Sequence, residues 1–299
     1  MKVVIAYLSV VLVWTTTPLA IVWSGSSLSF YAAVSARMVL ALMLCTLVLV
    51  VLRRPLVRHS SDWWAFMAAG IGLYPNMLLV YWAAQYISSG LISVIFGLYP
   101  FAVGIFSVVL LKQNIFTPIR IVALVMALLG LIFIKLDYLD TQSNHLIGML
   151  MMLLSVVFFG VSSVWLKRVG GSVSPVRLST GSLVLTVPFF VITWWVFDGV
   201  IPDIVDIRSI SSVVYLAVAG SLIGGTLFFY ILKMCSVVSV SVITLITPIM
   251  ALGLGAILNA ETAGVYQYVG CVCILMSLTL YQGLLKIPTW LKPKTVYEV

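Results

Sequence analysis

Charge is scarce in this chain. Of its 299 residues only 8% are Asp, Glu, Lys or Arg, and eight are acidic, against roughly 25% charged in an ordinary soluble domain. That deficit excludes a soluble enzyme, a nucleic-acid-binding domain and a disordered chain alike, because each needs far more polar surface. Histidine occurs twice, as His59 and His145, with no metal-ligand spacing. Cysteine occurs four times, and Cys271 and Cys273 are two positions apart, on nearly opposite faces of a helix, where they cannot clamp one ion. Neither a disulfide framework nor a zinc site follows, and the sequence requires no cofactor. Long polar stretches are missing as well, so no soluble domain is hidden between the apolar runs.

What is abundant is apolar length. Hydrophobic residues make up 63% of the chain and the mean hydropathy is +1.23. A membrane-spanning helix needs about 20 mostly apolar residues, at 1.5 Å each, to cross roughly 30 Å of hydrocarbon. Ten runs meet that need: 3–23, 29–52, 63–84, 89–111, 117–134, 146–166, 178–197, 210–232, 238–258 and 265–285. The first resembles a cleavable leader in its opening residues, but it continues through Trp23 and is long enough to span. The expected fold class is therefore an all-α integral membrane protein of ten transmembrane helices.

Basic residues set the expected orientation. With the N-terminus inside, the inner segments hold Lys2; Arg53, Arg54 and Arg58; Lys112 and Arg120; Lys167, Arg168 and Arg177; Lys233; and Lys286, Lys292 and Lys294. The outer segments hold only Lys135 and Arg208, while Arg37 lies within a span. The net charge of +8 is thus topogenic and needs no nucleic-acid partner. This places the protein in the cell (inner) membrane with both termini cytoplasmic.

An internal repeat emerges when the chain is slid by 148 residues. Segment 87–95 falls on 235–243, Pro100 on Pro248, Gly72 on Gly220, and Tyr81-Trp82 on Phe229-Tyr230. Ten spans in two copies give five per copy, and an odd number forces the copies to cross the membrane in opposite senses. Two inverted five-helix repeats are expected, with a pseudo-two-fold axis in the membrane plane that lets one site face either side. The divisions are 1–144, 145–287 and a short cytoplasmic tail at 288–299.

Local patterns resemble the drug/metabolite transporter superfamily, in its EamA-type ten-helix branch. They are Trp14 followed by Pro18; Ser35-Ala36-Arg37-Met38; Ala83-Ala84-Gln85-Tyr86 with Ser88-Ser89; Leu98-Tyr99-Pro100-Phe101; Ile246-Thr247-Pro248-Ile249; and Leu258-Asn259-Ala260-Glu261. The resemblance covers the whole chain. One departure is Gln113, which stands where the family usually has an acidic residue after helix four, leaving Glu261 as the carboxylate of that type. The resemblance implies a substrate cavity between the halves, lined by helices one, three, four, six, eight and nine, with five and ten peripheral. It implies no particular substrate.

Polar side chains at membrane depth are costly, so each is a functional candidate with a structural alternative. Substrate-binding candidates are Trp14, Thr17, Asn76, Tyr81, Tyr99, Ser163, Tyr230, Thr244 and Thr247. Thr15, Tyr74, Trp82, Ser93, Ser162, Trp165, Ser221 and Thr226 share their character, although aromatics near helix ends also form interfacial belts and hydroxyls also pack helix on helix. Pro18, Pro100 and Pro248 are hinge candidates, since a proline frees a carbonyl and permits bending. Arg37 and Glu261 are candidates for a charge role. Arg37, about 12 Å deep at 1.5 Å per residue, suits a substrate carboxylate or helix-end carbonyls, and the structural reading is favoured here.

Such a lining stacks on apolar groups and offers a few hydrogen bonds, but lacks the clustered Lys and Arg that phosphorylated substrates require. The expected function is export of a small neutral or zwitterionic metabolite, amino acid-like or amphipathic, by alternating access. Import or exchange on the same fold is the alternative. An integral membrane enzyme acting on lipid and a non-transporting assembly subunit are the readings from other classes; the former would need an activated nucleophile, a metal site or an acid/base pair. The expected partners are a small-molecule substrate and the lipid bilayer, with the protein a monomer or homodimer.

Overall fold

The computed structural model describes residues 2–112, 117–137, 144–171, 173–236, 240 and 243–283. Gln113, the C-terminal lysines and the tail at 288–299 lie outside those residues. The protein is an all-α membrane protein, and the described residues form ten helices, eight of them long and apolar enough to cross a bilayer and two shorter. Five are uninterrupted long helices: helix one (Lys2–Ser24), two (Phe30–Val51), five (Pro118–Leu136), six (His145–Val169) and seven (Pro175–Phe197). Helices nine (Ile243–Asn259) and ten (Val265–Tyr281) are the shorter pair. The expected start of helix nine at 238 falls partly outside the described residues.

Three spans are not uniform helices. Helix three consists of Asp62–Ile71 and Asn76–Ala83, joined by a tight turn in which the amides of Leu73 and Tyr74 both donate to the Gly70 carbonyl at 2.8 Å. Pro75, which follows, has no N–H with which to continue the ladder. Helix four consists of Ser89–Phe96 and Tyr99–Leu111, and Pro100 occupies the first turn of the second piece, where a missing N–H costs nothing. Helix eight runs Ile207–Tyr215, then a π-helical stretch Leu216–Gly225, then Thr226–Met234. Hydropathy counts side chains and is blind to the backbone path, which is why these three read as single runs in the sequence.

The irregularities themselves obey the repeat. The turn at 72–75 of helix three corresponds, at 148 residues' distance, to 220–223 inside the π-helical stretch of helix eight. Lys112 and Ala260, which end helices four and nine, are also 148 apart, and both are non-glycine residues in the left-handed region, with φ of 54° and 48°. Neighbour relations agree. Helix one packs on nine and eight as helix six packs on four and three, and helix two packs on eight as helix seven packs on three. The pairs two with seven, four with nine, and five with ten map onto themselves. This is the pattern a two-fold axis between inverted five-helix halves produces.

Between helices, small residues replace the hydrophobic drive that lipid removes. A Cβ on Gly130 of helix five would stand 2.8 Å from the Gly270 carbonyl of helix ten, and one on Gly160 would stand 2.7 Å from the Ala102 side chain. The outward faces carry aliphatic and aromatic side chains, such as Val122, Leu128 and Ile132 on helix five and Trp195 and Phe197 on helix seven. Helix ends are capped by side-chain oxygens: Ser29 accepts from the Ala32 amide, Ser88 from Leu91, and Asp206 from Ser209.

Candidate functional site

A cavity with about 130 Å³ of free space for water-sized molecules lies where the two halves meet. Trp14, Thr17 and Pro18 of helix one face it, with Gly72, Leu73 and Met77 from the broken part of helix three. Ser93 and Phe96 come from helix four, Phe159 and Ser162 from helix six, Ser221 and Phe228 from helix eight, and Thr247 from helix nine. Helices five and ten contribute nothing to the lining, as the family resemblance implied. Helices two and seven do contribute, through Arg37 and through Ser179, Ser182 and Leu183, which that resemblance did not imply.

One wall is aromatic. The Trp14 ring lies 5.1 Å from Phe228, 5.8 Å from Phe159 and 6.0 Å from Phe96, centroid to centroid. Tyr99 stacks on Phe96 from behind at 6.0 Å and 8°. Offset and edge-on arrangements of this kind add about 0.5–1.5 kcal/mol per pair beyond area burial, so the wall is a rigid platform.

Another part of the lining is polar. The Arg37 guanidinium donates through Nε to the Ser221 hydroxyl at 3.1 Å and through Nη1 to the Tyr81 hydroxyl at 3.5 Å, while Nη2 faces Gly220, where a Cβ would come within 3.1 Å of it. Arg37 is 4% exposed. Tyr81 belongs to a second recess, of about 540 Å³, lined also by Ile21, Ser29, Tyr31, Gln85 and Asp198. Ile21 lines both spaces and Tyr81 bonds across to Arg37, so the recess adjoins the cavity with Tyr81 as the partition.

The candidates named from sequence divide by what satisfies them. Trp14, Thr17, Thr247, Pro18 and Arg37 line the cavity, together with Ser93, Ser162 and Ser221. Asn76, Tyr99, Ser163, Thr244 and Tyr230 are not among the lining residues. Asn76 is fully buried, donating to the Gly72 carbonyl at 2.8 Å and accepting from Ser155 at 2.5 Å, which ties helix three to helix six. Ser163 donates back to the Phe159 carbonyl at 2.8 Å within its own helix. Pro248 sits inside helix nine and Pro100 at the second-piece start of helix four. Glu261 accepts the Ser89 and Gly90 amides at 3.1 and 3.2 Å, so its carboxylate serves the N-terminus of helix four and not the cavity.

Sequence reading missed the phenylalanines and the helix-seven serines. A signal existed in the repeat, since lining positions pair across 148 residues: Trp14 with Ser162, Gly72 with Gly220, Leu73 with Ser221, Met77 with Gly225 and Val80 with Phe228. Projecting the candidate Tyr81 onto the other half would have brought in Phe229, which lines the cavity, whereas Phe228 and Gly225 pair with the apolar Val80 and Met77.

Both ends of the bundle are fastened. At the end holding Asn259, the Trp23 indole donates to the Asn259 side chain at 3.0 Å, and Arg208 stacks over the Trp23 ring at 4.5 Å. Ser26 donates to Asp206 at 2.7 Å, and this bond together with the Ser209 amide at 2.6 Å holds the Asp206 carboxyl below the usual carboxylate range. At the other end, Arg177 of helix seven pairs with Asp62 of helix three, and Lys167 donates to the Leu232 and Cys235 carbonyls at 2.8 and 2.6 Å.

Comparison with known proteins agrees with this architecture. The model of the EamA-like transporter family matches residues 1–136 and again 146–282. A protein named as an uncharacterized transporter from Archaeoglobus fulgidus is 25% identical over 89% of this chain and 93% of its own length. Protein PecM of Dickeya dadantii is 23% identical over 74% of both chains. A solved crystal structure superposes with a TM-score of 0.69 at 16% identity, covering 95% of this chain and 97% of its own, a likeness of fold.

Proposed function

The chain belongs to the EamA-like transporter family, a family of membrane transporters and not of enzymes, and from that premise we propose that it exports a small amphipathic metabolite, neutral or zwitterionic, by alternating access. The observation that carries this reading is the cavity between the inverted halves, whose lining combines an aromatic cluster with several hydroxyls and includes repeat-related positions from both halves. Trp14, Thr17 and Thr247 are the direct binding residues, with Tyr81 acting as the partition. Asn76, Tyr99, Ser163, Tyr230 and Thr244 act one layer behind, fixing the helices that carry the wall.

The halves 1–144 and 145–287 act as the two moving units. Pro18, Pro100 and Pro248 supply flexing points, because exchange of conformation between inverted repeats must be absorbed where helical hydrogen bonds are already interrupted. Orientation follows from the basic residues: Arg53, Arg54, Arg58, Lys167, Arg168 and Arg177 gather at one end, which we assign to the cytoplasm with both termini. The recess bounded by Ser29, Tyr31 and Asp198 is then an external vestibule, with Tyr81 between it and the cavity.

The test is uptake into liposomes of purified protein, with amino acids, amines and phosphorylated sugars offered separately. Saturable transport of an amphipathic solute, weakened about tenfold or more by Trp14→Ala, is the expected result. Transport confined to phosphorylated sugars, or none of any solute, would overturn the reading.

A further inference from the structure

Among the described residues Arg37 is a cation without a counter-ion, its guanidinium carbon lying 5.9 Å from the Tyr81 ring. Its partners are two neutral hydroxyls, those of Ser221 and Tyr81, which occupy two of the five N–H donors that a guanidinium presents. None of the residues lining the cavity is acidic, and Arg37 has no carboxylate partner among the described residues. The contrast is Arg177, an equally buried arginine whose charge is met by Asp62. A guanidinium left uncompensated in a low-dielectric interior is costly unless an anion arrives.

The geometry leaves room for one. Gly220 lies beside Nη2 and Gly225 a little farther along helix eight, where side chains would otherwise fill the space, and Gly220 belongs to the π-helical stretch. π-Helical bulges recur where a helix is shaped for function. Resting on the proposal that this cavity is the transport site, we infer that Arg37 is the carboxylate-recognition point and that the substrate is of the zwitterionic kind, a single carboxylate balanced by an ammonium on an apolar or aromatic body. The carboxylate takes the planar donor fork of Arg37, whose match to carboxylate geometry is bidentate. The body lies against Trp14, Phe96 and Phe228. A single arginine with no second cation among the lining residues suits one negative charge and disfavours a doubly charged phosphate. An amino acid fits as a member of this class, its ammonium facing the ring of Trp14.

The experiment uses the full chain in detergent, with quenching of tryptophan fluorescence and protection from thermal unfolding as readouts. The probes are matched pairs that differ only in charge: phenylacetate with phenylacetamide, hexanoate with hexanamide, and phenylalanine with its amide. Chloride and inorganic phosphate are tested as separate arms. The expected result is at least tenfold tighter binding of each carboxylate than of its amide, a preference abolished by Arg37→Gln and partly kept by Arg37→Lys. The wild-type comparison needs no variant to fold. Ser221→Ala adds a second measurement, because loss of the Nε partner of Arg37 should lower the ratio of carboxylate to amide affinity.

Equal binding of carboxylates and amides, tighter binding of phosphate than of any carboxylate, no binding of any pair, or a preference that persists in Arg37→Gln would each overturn the inference. The transport-site reading fails separately. Trp14→Ala that weakens both members of a pair equally, in a protein without charge preference, leaves the cavity as the site and removes only the role of Arg37; Trp14→Ala without effect on any bound solute removes the site itself.

Discussion

The carboxylate of Glu261, just past the end of helix nine, holds the backbone amide of Ser89 at 3.1 Å, in the first turn of helix four. Its other oxygen takes the Gly90 amide at 3.2 Å, and the Asn259 side chain donates to the first at 3.1 Å. A helix N-terminus carries orphan amides and a partial positive charge, so a carboxylate from a neighbouring helix satisfies both at once. Gly255 makes the approach feasible, since any Cβ there would collide with the Glu261 side chain.

Removing that carboxylate separates its two contributions. Glu261→Gln should keep one amide bond and lose the charge, whereas Glu261→Ala should leave both amides without this acceptor and destabilise by about 1–2 kcal/mol. A thermal-unfolding series in detergent checks this, with the expected order wild type, Gln, Ala. Equal midpoints for all three would show that the contact contributes nothing.

Helices three and six are in close contact at Gly72, where a Cβ would stand 2.5 Å from the Ser162 hydroxyl. Gly72→Ala should therefore overpack the cavity wall at about 1–3 kcal/mol. Combining it with Ser162→Gly should recover part of the loss even though Ser162 gives up its 2.7 Å bond to the Ala68 carbonyl. Stability of the single and double variants is the measurement, and a double variant worse than the sum of both would refute the steric account.

Much of this fold was legible before any coordinates, and the reason is the solvent. Lipid demands long apolar helices, so hydropathy alone located ten spans. The turn at Gly72–Pro75 and the π-helical stretch of helix eight were not legible as breaks, although Gly72, Pro75 and Gly220 were in plain sight, because isolated Gly and Pro are common in membrane helices. The site was half legible for a related reason. A buried polar side chain can border a ligand space or only its neighbours, and nothing in a sequence says which: Thr17 and Ser163 both donate back to a carbonyl of their own helix at 2.8 Å, yet of the two only Thr17 lines the cavity. Phe96, Phe159 and Phe228 were invisible as site residues because phenylalanine is the ordinary filler of such helices.

Arg177 and Asp62 tie helices seven and three at the end opposite Glu261, with side chains 5% and 1% exposed. Asp62 also accepts the amides of Arg58 and His59 at 2.8 and 3.1 Å. Breaking one partner leaves the other charge buried, so Arg177→Gln and Asp62→Asn should each cost more than the double variant implies by addition. A double-mutant cycle on thermal stability should return a coupling of about 1–3 kcal/mol; additive single effects would contradict the pairing.

Acid should act on the other end. Asp206 is bound by Ser26 and by the Ser209 amide, and its carboxyl is held below the usual carboxylate range. A depressed folded-state value means the contribution is present above the unfolded-state pKa and is lost as pH falls through the lower, folded-state one. Stability should thus be flat with respect to Asp206 from neutral to mildly acid pH and decline only below the ordinary carboxylate range. Asp206→Asn should remove that part of the decline, which unfolding midpoints at stepped pH would show.

Helices five and ten meet through Gly130 and Gly270 and take no part in the cavity. Their contact is one of those that map onto themselves when the halves are interchanged. A contact of that kind needs no remaking when the halves trade shapes, whereas the packing of helix one on eight must become that of six on three, and the reverse. The five–ten pair is therefore the axle of the machine: a crosslink between those two helices should leave turnover untouched, while one between helices one and eight should stop it.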